Sequence, residues 1–172
     1  MKNKYVFLRH AETIKDPDVH PKDWLLTSDA LEYLNTYISN GDFSAVTRIY
    51  SSTEPKAIAT GKPISEYLNL KINEMEEFVE VKREKKFLTD EEFLLQKKRE
   101  VENLESVENG ISILEKIHEG ETVLIISHGT VMTIYFAKLL GQLNKTFERW
   151  QKIKFCALGS VHNYKVMKDI IN

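Results

Sequence analysis

A chain of 172 residues has the length of about one domain. Its 24 basic and 26 acidic side chains leave a formal charge of −2, which gives no global electrostatic case for a nucleic-acid binder. The single cysteine, Cys156, rules out an intrachain disulfide and reads as a reduced thiol buried in a strand. No apolar run approaches the roughly 18 residues that cross a bilayer. Arg9 and His10 interrupt the N-terminal apolar run before it becomes a signal-peptide core. One domain over residues 1–172, cytoplasmic and without a membrane or nucleic-acid partner, is expected.

Tyr5-Val6-Phe7-Leu8 is short, apolar and rich in β-formers, as a buried strand should be, and it stops at Arg9-His10-Ala11-Glu12-Thr13. Residues 14–25 read as loop, since Pro17 and Pro21 forbid a continuous helix. Thr27 or Ser28 caps a helix carrying Ala30, Leu31, Leu34 and Ile38 and stopped by Asn40-Gly41. Residues 46–50 form a second strand closed by Ser51-Ser52, and a helix follows through Ile64 and Leu68, weakened by Gly61 and Pro63. Residues 70–75 form a short strand that runs into the carboxylates Glu74, Glu76, Glu77 and Glu80. Thr89-Asp90-Glu91-Glu92 is a capping box for a helix from Asp90 through Phe93, Leu94 and Val101. Val107, Ile111, Leu114 and Ile117 then mark the core-facing stripe of a helix.

Val123-Leu124-Ile125-Ile126 repeats the layout of the first strand and stops at Ser127-His128-Gly129. Residues 130–140 are apolar nearly all round, which marks a buried helix, with Gly141 as its stop. Its N-terminus would lie beside His128, with the Gly129 N–H facing an anion. Residues 154–158 and 160–166 read as two closing strands around Gly159, and His20, His118 and His162 as structural or exposed. If the two bare strands are parallel neighbours, His10 and His128 leave one sheet edge together, where α/β sheets bind ligands. With Arg9 they make a place for an anion that contains a candidate nucleophile.

Arg9-His10-Ala11-Glu12-Thr13 resembles the Arg-His-Gly-Glu-Thr signature of the histidine phosphatase superfamily, and Ser127-His128-Gly129 resembles its second histidine motif. The stretch from Ser51 to Thr60 is similar to its Ser-Ser-x-x-x-Arg-Ala-x-x-Thr element, with Lys56 in place of arginine, and Glu105-Ser106 resembles its Glu-Ser helix start. The resemblance implies a phosphoglycerate mutase-like, three-layer α/β/α sandwich around a mostly parallel sheet. It further implies catalysis by His10 as nucleophile, His128, and an acid in a Leu-x-Glu element. Met75-Glu76-Glu77 fits that spacing, so Glu77 is the first choice, with Glu76 and Glu80 as alternatives. Arg9, Thr13, Lys56 and Gly129 are the implied phosphate contacts. Asp16 departs from the family's asparagine and would repel phosphate unless it points away.

Such a site needs neither metal nor cofactor. A neutral imidazole held at one nitrogen attacks phosphorus, and preorganised cations stabilise the equatorial oxygens. The expected activity is hydrolysis of a small phosphorylated metabolite. A phosphomutase and a catalytically weak phospholigand-binding protein are the alternatives, followed by a metallohydrolase built on His10, Glu12 and His128. Arg83, Lys85 and Lys86 are further candidates for attracting an anion.

Overall fold

The computed structural model describes residues 2–40, 43–81 and 97–171. Arg83, Lys85, Lys86 and the capping box at Thr89 lie outside the described residues. The strands are β1 (Lys4–Arg9), β2 (Arg48–Ser51), β3 (Ile72–Glu74), β4 (Thr122–Ser127), β5 (Leu158–His162) and β6 (Lys165–Lys168). The helices are α1 (Ser28–Asn40), α2 (Pro55–Leu68), α3 (Lys97–Ile117), α4 (Gly129–Leu139) and α5 (Thr146–Lys152).

The sheet order is β3-β2-β4-β1-β5-β6. The first four strands are parallel, and β5 and β6 are added antiparallel at one side. The sheet is thus mostly parallel, as expected. The central strands β1 and β4 are buried on both sides, which is why they read as continuous apolar runs. Tyr5, Phe7, Val123 and Ile125 face a core shared with Val107, Ile111 and Leu114 of α3 and Met132, Tyr135 and Phe136 of α4. Val6, Leu8, Leu124 and Ile126 face the opposite core with Ala30, Leu34 and Ile38 of α1 and Ala57 and Ile64 of α2. Helices on both faces complete the three layers.

Local chemistry explains most boundaries. The Thr27 hydroxyl accepts the Ala30 N–H at 3.1 Å, so Thr27 is the cap of α1. The helix α2 runs unbroken through Gly61 and Pro63. Gly61 is there for packing, because a Cβ would stand 2.5 Å from Ile126 Cδ1 on β4. Glu105-Ser106 is not a helix start but the middle of α3. Gly110 in that helix lets it close on Phe78, whose ring a Cβ would meet at 2.9 Å.

The C-terminal hairpin also differs from expectation. It turns at Asn163 and Tyr164, both left-handed with φ of 51° and 58°, in the manner of a two-residue hairpin turn. Gly159 instead lies inside β5, opposite Phe7, where a side chain would collide with Ile170 and the Phe136 ring. Cys156 is buried but lies just before β5 at a φ of 55°, outside any strand. Burial pushes its thiol up to about 11, consistent with an inert group.

Candidate active site

Register decides what meets at the sheet edge. Leu8 pairs with Ile126 and Arg9 with Ser127, so β1 and β4 end level with each other. The His10 N–H donates to the Ser127 carbonyl at 2.9 Å, and the Ser52 N–H at the end of β2 donates to the Ile126 carbonyl at 2.9 Å. The two imidazoles consequently sit side by side, with ring centroids 5.2 Å apart.

His10 is held in one tautomer. Its Nδ1 lies 2.7 Å from the Ala11 carbonyl, which only accepts, so Nδ1 carries the proton and Nε2 is the basic nitrogen. The turn that provides this carbonyl is pinned in turn. The Ala11 N–H donates to Thr60 Oγ1 at 2.9 Å, and the Thr60 hydroxyl donates to the Lys56 carbonyl at 2.7 Å. Burial, then the neighbouring His128 and Arg9, hold the His10 imidazole well below the usual histidine range. It is neutral at pH 7. His128 shares a 2.7 Å hydrogen bond between its Nε2 and the Ser52 hydroxyl.

Arg9 lies 4.2 Å over the Phe155 ring and donates from Nη1 to the Ile153 carbonyl at 2.6 Å. A Cβ at Gly129 would stand 3.0 Å from Arg9 Nε, so glycine lets α4 begin this close to the guanidinium without displacing it. Around these groups opens a cavity of about 770 Å³. Arg9, His10, Thr13, Lys56 and Gly129 line it, and Lys15, His20, Lys22, Trp24 and Trp150 are also among its walls. His128 lies behind, fully buried against His10 and Ser52.

The carboxylates are arranged differently from the first expectation. Glu77 does not line the cavity. It sits in a single 3₁₀ turn, Glu76–Phe78, and its Cβ faces α3 at Gly110. Glu76 and Glu80 do line the cavity. The Ser127 hydroxyl donates to the Phe78 carbonyl at 2.8 Å and ties this segment to the end of β4. Glu80 thereby reaches the start of α4, where its Oε2 accepts from the Thr130 N–H at 3.4 Å. A helix N-terminus is a favourable place for a carboxylate.

No family model matches the chain, and no curated protein matches it in sequence. In three dimensions it is similar to a phosphoserine phosphatase from Entamoeba histolytica in complex with 3-phosphoglyceric acid, at 15% identity and a TM-score of 0.78, over 96% of this chain and 95% of that one. It is also similar to a putative alpha-ribazole-5'-P phosphatase from Escherichia coli, at 16% identity and a TM-score of 0.74, over 98% and 96% of the two chains. A mycobacterial glucosyl-3-phosphoglycerate phosphatase aligns over 100% of both chains at 14% identity and a TM-score of 0.72. The chain has the histidine phosphatase fold.

Within that fold, the sequence motifs bring His10, His128, Arg9, Thr13, Lys56 and Gly129 together, and they leave Glu77 outside. Asp16 points away: its Oδ1 accepts the Asp18 N–H at 2.8 Å in an exposed turn. Glu12 is exposed and does not line the cavity, so it joins neither histidine as a metal ligand. His20 is exposed and caps the 3₁₀ turn Pro21–Asp23 through Nδ1, as expected for a structural histidine, yet it also borders the cavity.

Sequence reasoning missed Glu54. Its carboxylate accepts from Lys56 Nζ at 2.5 Å and lies 3.7 Å from His128 Nε2. The signal was available in an acid two residues before the motif lysine. Phe155, Trp24 and Trp150 carried no signal.

Two outcomes follow for stability. Thr60→Val keeps the shape but leaves the Ala11 N–H unsatisfied, so chemical denaturation should show a loss of about 1–3 kcal/mol. Acidification should act through His10. Between its lowered folded value and the ordinary 6.5, the unfolded chain binds more protons, so stability is full above pH 6.5 and falls below it. The slope is at most about 1.4 kcal/mol per pH unit for one proton. Urea unfolding from pH 7 to 5 should therefore be steeper in pH for the wild type than for His10→Gln, and equal slopes would contradict the reading.

Proposed function

We propose that the protein is a metal-independent phosphatase that hydrolyses a small phosphomonoester through a phosphohistidine on His10. The observation that carries this reading is the tautomer of His10. Its Nδ1 is committed to the Ala11 carbonyl, so Nε2 offers a lone pair to the cavity at neutral pH.

In the first step Nε2 attacks phosphorus and the bond to the ester oxygen breaks. Arg9 and Lys56 flank the transferring group from the cavity wall, His128 backs the His10 imidazole, and the Thr13 hydroxyl and Gly129 N–H supply hydrogen bonds. The departing alkoxide takes a proton from a carboxyl group that faces the cavity. We assign that role to Glu80 rather than Glu77, because Glu80 lines the cavity beside the start of α4. In the second step Glu80 takes a proton from water as its oxygen attacks phosphorus. The P–N bond breaks, phosphate leaves, and the neutral imidazole returns.

Two of the solved phosphatases of this fold are named for small phosphorylated molecules, phosphoserine and glucosyl-3-phosphoglycerate. This supports a small phosphorylated metabolite as substrate. No helix among the described residues is long and apolar enough to cross a membrane, and we place the protein in the cytoplasm.

The test is hydrolysis of an unactivated alkyl phosphate in EDTA. We expect the wild type to release phosphate into solution and His10→Ala to release none. Glu80→Gln should lower the rate by about 10²–10⁴-fold, and Glu77→Gln should leave it intact. The reverse pattern would return the acid role to Glu77, and phosphate that migrates within the substrate would indicate a mutase.

A further inference from the structure

The phosphate end of the cavity holds an anion of the protein's own. Glu54 is the cap residue of α2, and both of its oxygens are engaged. Oε2 accepts from Lys56 Nζ at 2.5 Å. Oε1 accepts the Glu80 N–H at 2.9 Å and stands 3.7 Å from His128 Nε2. The Lys56 and Glu54 side chains are only 6% and 12% exposed, so the pair is little screened by water. Lys56 gives a second hydrogen bond to the Pro21 carbonyl at 2.8 Å.

The lysine offered to phosphate is therefore already neutralised. An incoming phosphate dianion keeps Lys56 only by sharing it with Glu54 or displacing it, and in either case it meets a like charge at short range. Bare orthophosphate has nothing to set against that repulsion. An ester whose organic part fills the cavity towards Trp24 and Trp150 gains contacts that orthophosphate lacks.

Resting on the phosphatase reading of the same site, we infer that Glu54 is a specificity-determining residue: it competes with phosphate for Lys56, weakening the hold on free phosphate and favouring esters with a substantial organic group. Lys56 in place of arginine fits this role. An ammonium is a point charge that one carboxylate can occupy, whereas a guanidinium fork keeps donors to spare.

A double-mutant cycle with orthophosphate as probe tests the inference. The proteins are the wild type, Glu54→Gln, Lys56→Met and the double variant, and binding is read from the ring NMR signals of His10 and His128. Glutamine keeps an acceptor for the Glu80 N–H. We expect Glu54→Gln to bind orthophosphate about tenfold more tightly, the size of one partly screened unit charge. Lys56→Met should remove that gain in the Glu54→Gln background, and in the wild-type background it leaves the Glu54 carboxylate unpaired and weakens binding further. In turnover, product inhibition should strengthen in Glu54→Gln by more than KM for an ester falls. Unchanged or weaker phosphate binding by Glu54→Gln, or a gain that survives Lys56→Met, overturns the inference and leaves the phosphatase reading standing. Loss of His10 phosphorylation in Glu54→Gln with unchanged phosphate affinity also overturns it, by making Glu54 the proton donor. If phosphate moves neither histidine signal in any of the four proteins, the phosphatase reading fails and takes the inference with it.

Discussion

A single hydrogen bond of 2.7 Å, from His10 Nδ1 to the Ala11 carbonyl, determines what the rest of the site does. It commits one ring nitrogen and leaves the other as a base, which is the condition for an imidazole to act as a nucleophile. The bond exists only because the chain turns sharply after β1, and that turn is over-determined. The His10 N–H is held by Ser127, the Ala11 N–H by Thr60, and the Thr27 N–H by the Glu12 carbonyl. Thr60 also reaches back to the Lys56 carbonyl, so His10 and the cavity-lining Lys56 are set by one side chain on α2.

Charge is arranged around this imidazole in opposition. Arg9, Lys56 and His128 gather at the end of a parallel sheet, and burial, reinforced by these neighbours, keeps His10 neutral. Two of the cavity's carboxylates are joined across different elements, Glu54 at the start of α2 and Glu80 in the segment after β3. They are linked to each other through the Glu80 N–H. A site built only to bind phosphate would gain nothing from them. In the proposed reaction each has a use: Glu80 moves a proton, and Glu54 prevents the product from being held too well.

Much of this was legible in the sequence because short buried strands have a strong signature. Tyr5-Val6-Phe7-Leu8 and Val123-Leu124-Ile125-Ile126 are apolar at every position, and each ends in a histidine motif, so a parallel pairing brought His10 and His128 together on paper as it does in space. The choice among Glu76, Glu77 and Glu80 was not legible. It depends on a 3₁₀ turn that rotates Glu77 against Gly110 of α3 and carries Glu80 round to α4, and spacing along the chain does not encode that rotation. The hairpin was misplaced at Gly159 for a similar reason. A glycine needed for space beneath Phe136 looks the same in sequence as one needed for a turn. Glu54 was hidden because its meaning lies in what it touches, and a lysine read as a phosphate ligand gave no sign of being paired already.

The central claim is that phosphorus passes through His10 Nε2. Rapid quenching of the enzyme during turnover of a ³²P-labelled ester, followed by peptide mapping, tests it most directly. The account predicts label on the peptide that contains His10, stable to alkali and lost in acid, and absent from His10→Ala. Label on another residue, or steady turnover with no phosphoenzyme at any quench time and undiminished activity in His10→Ala, would contradict it.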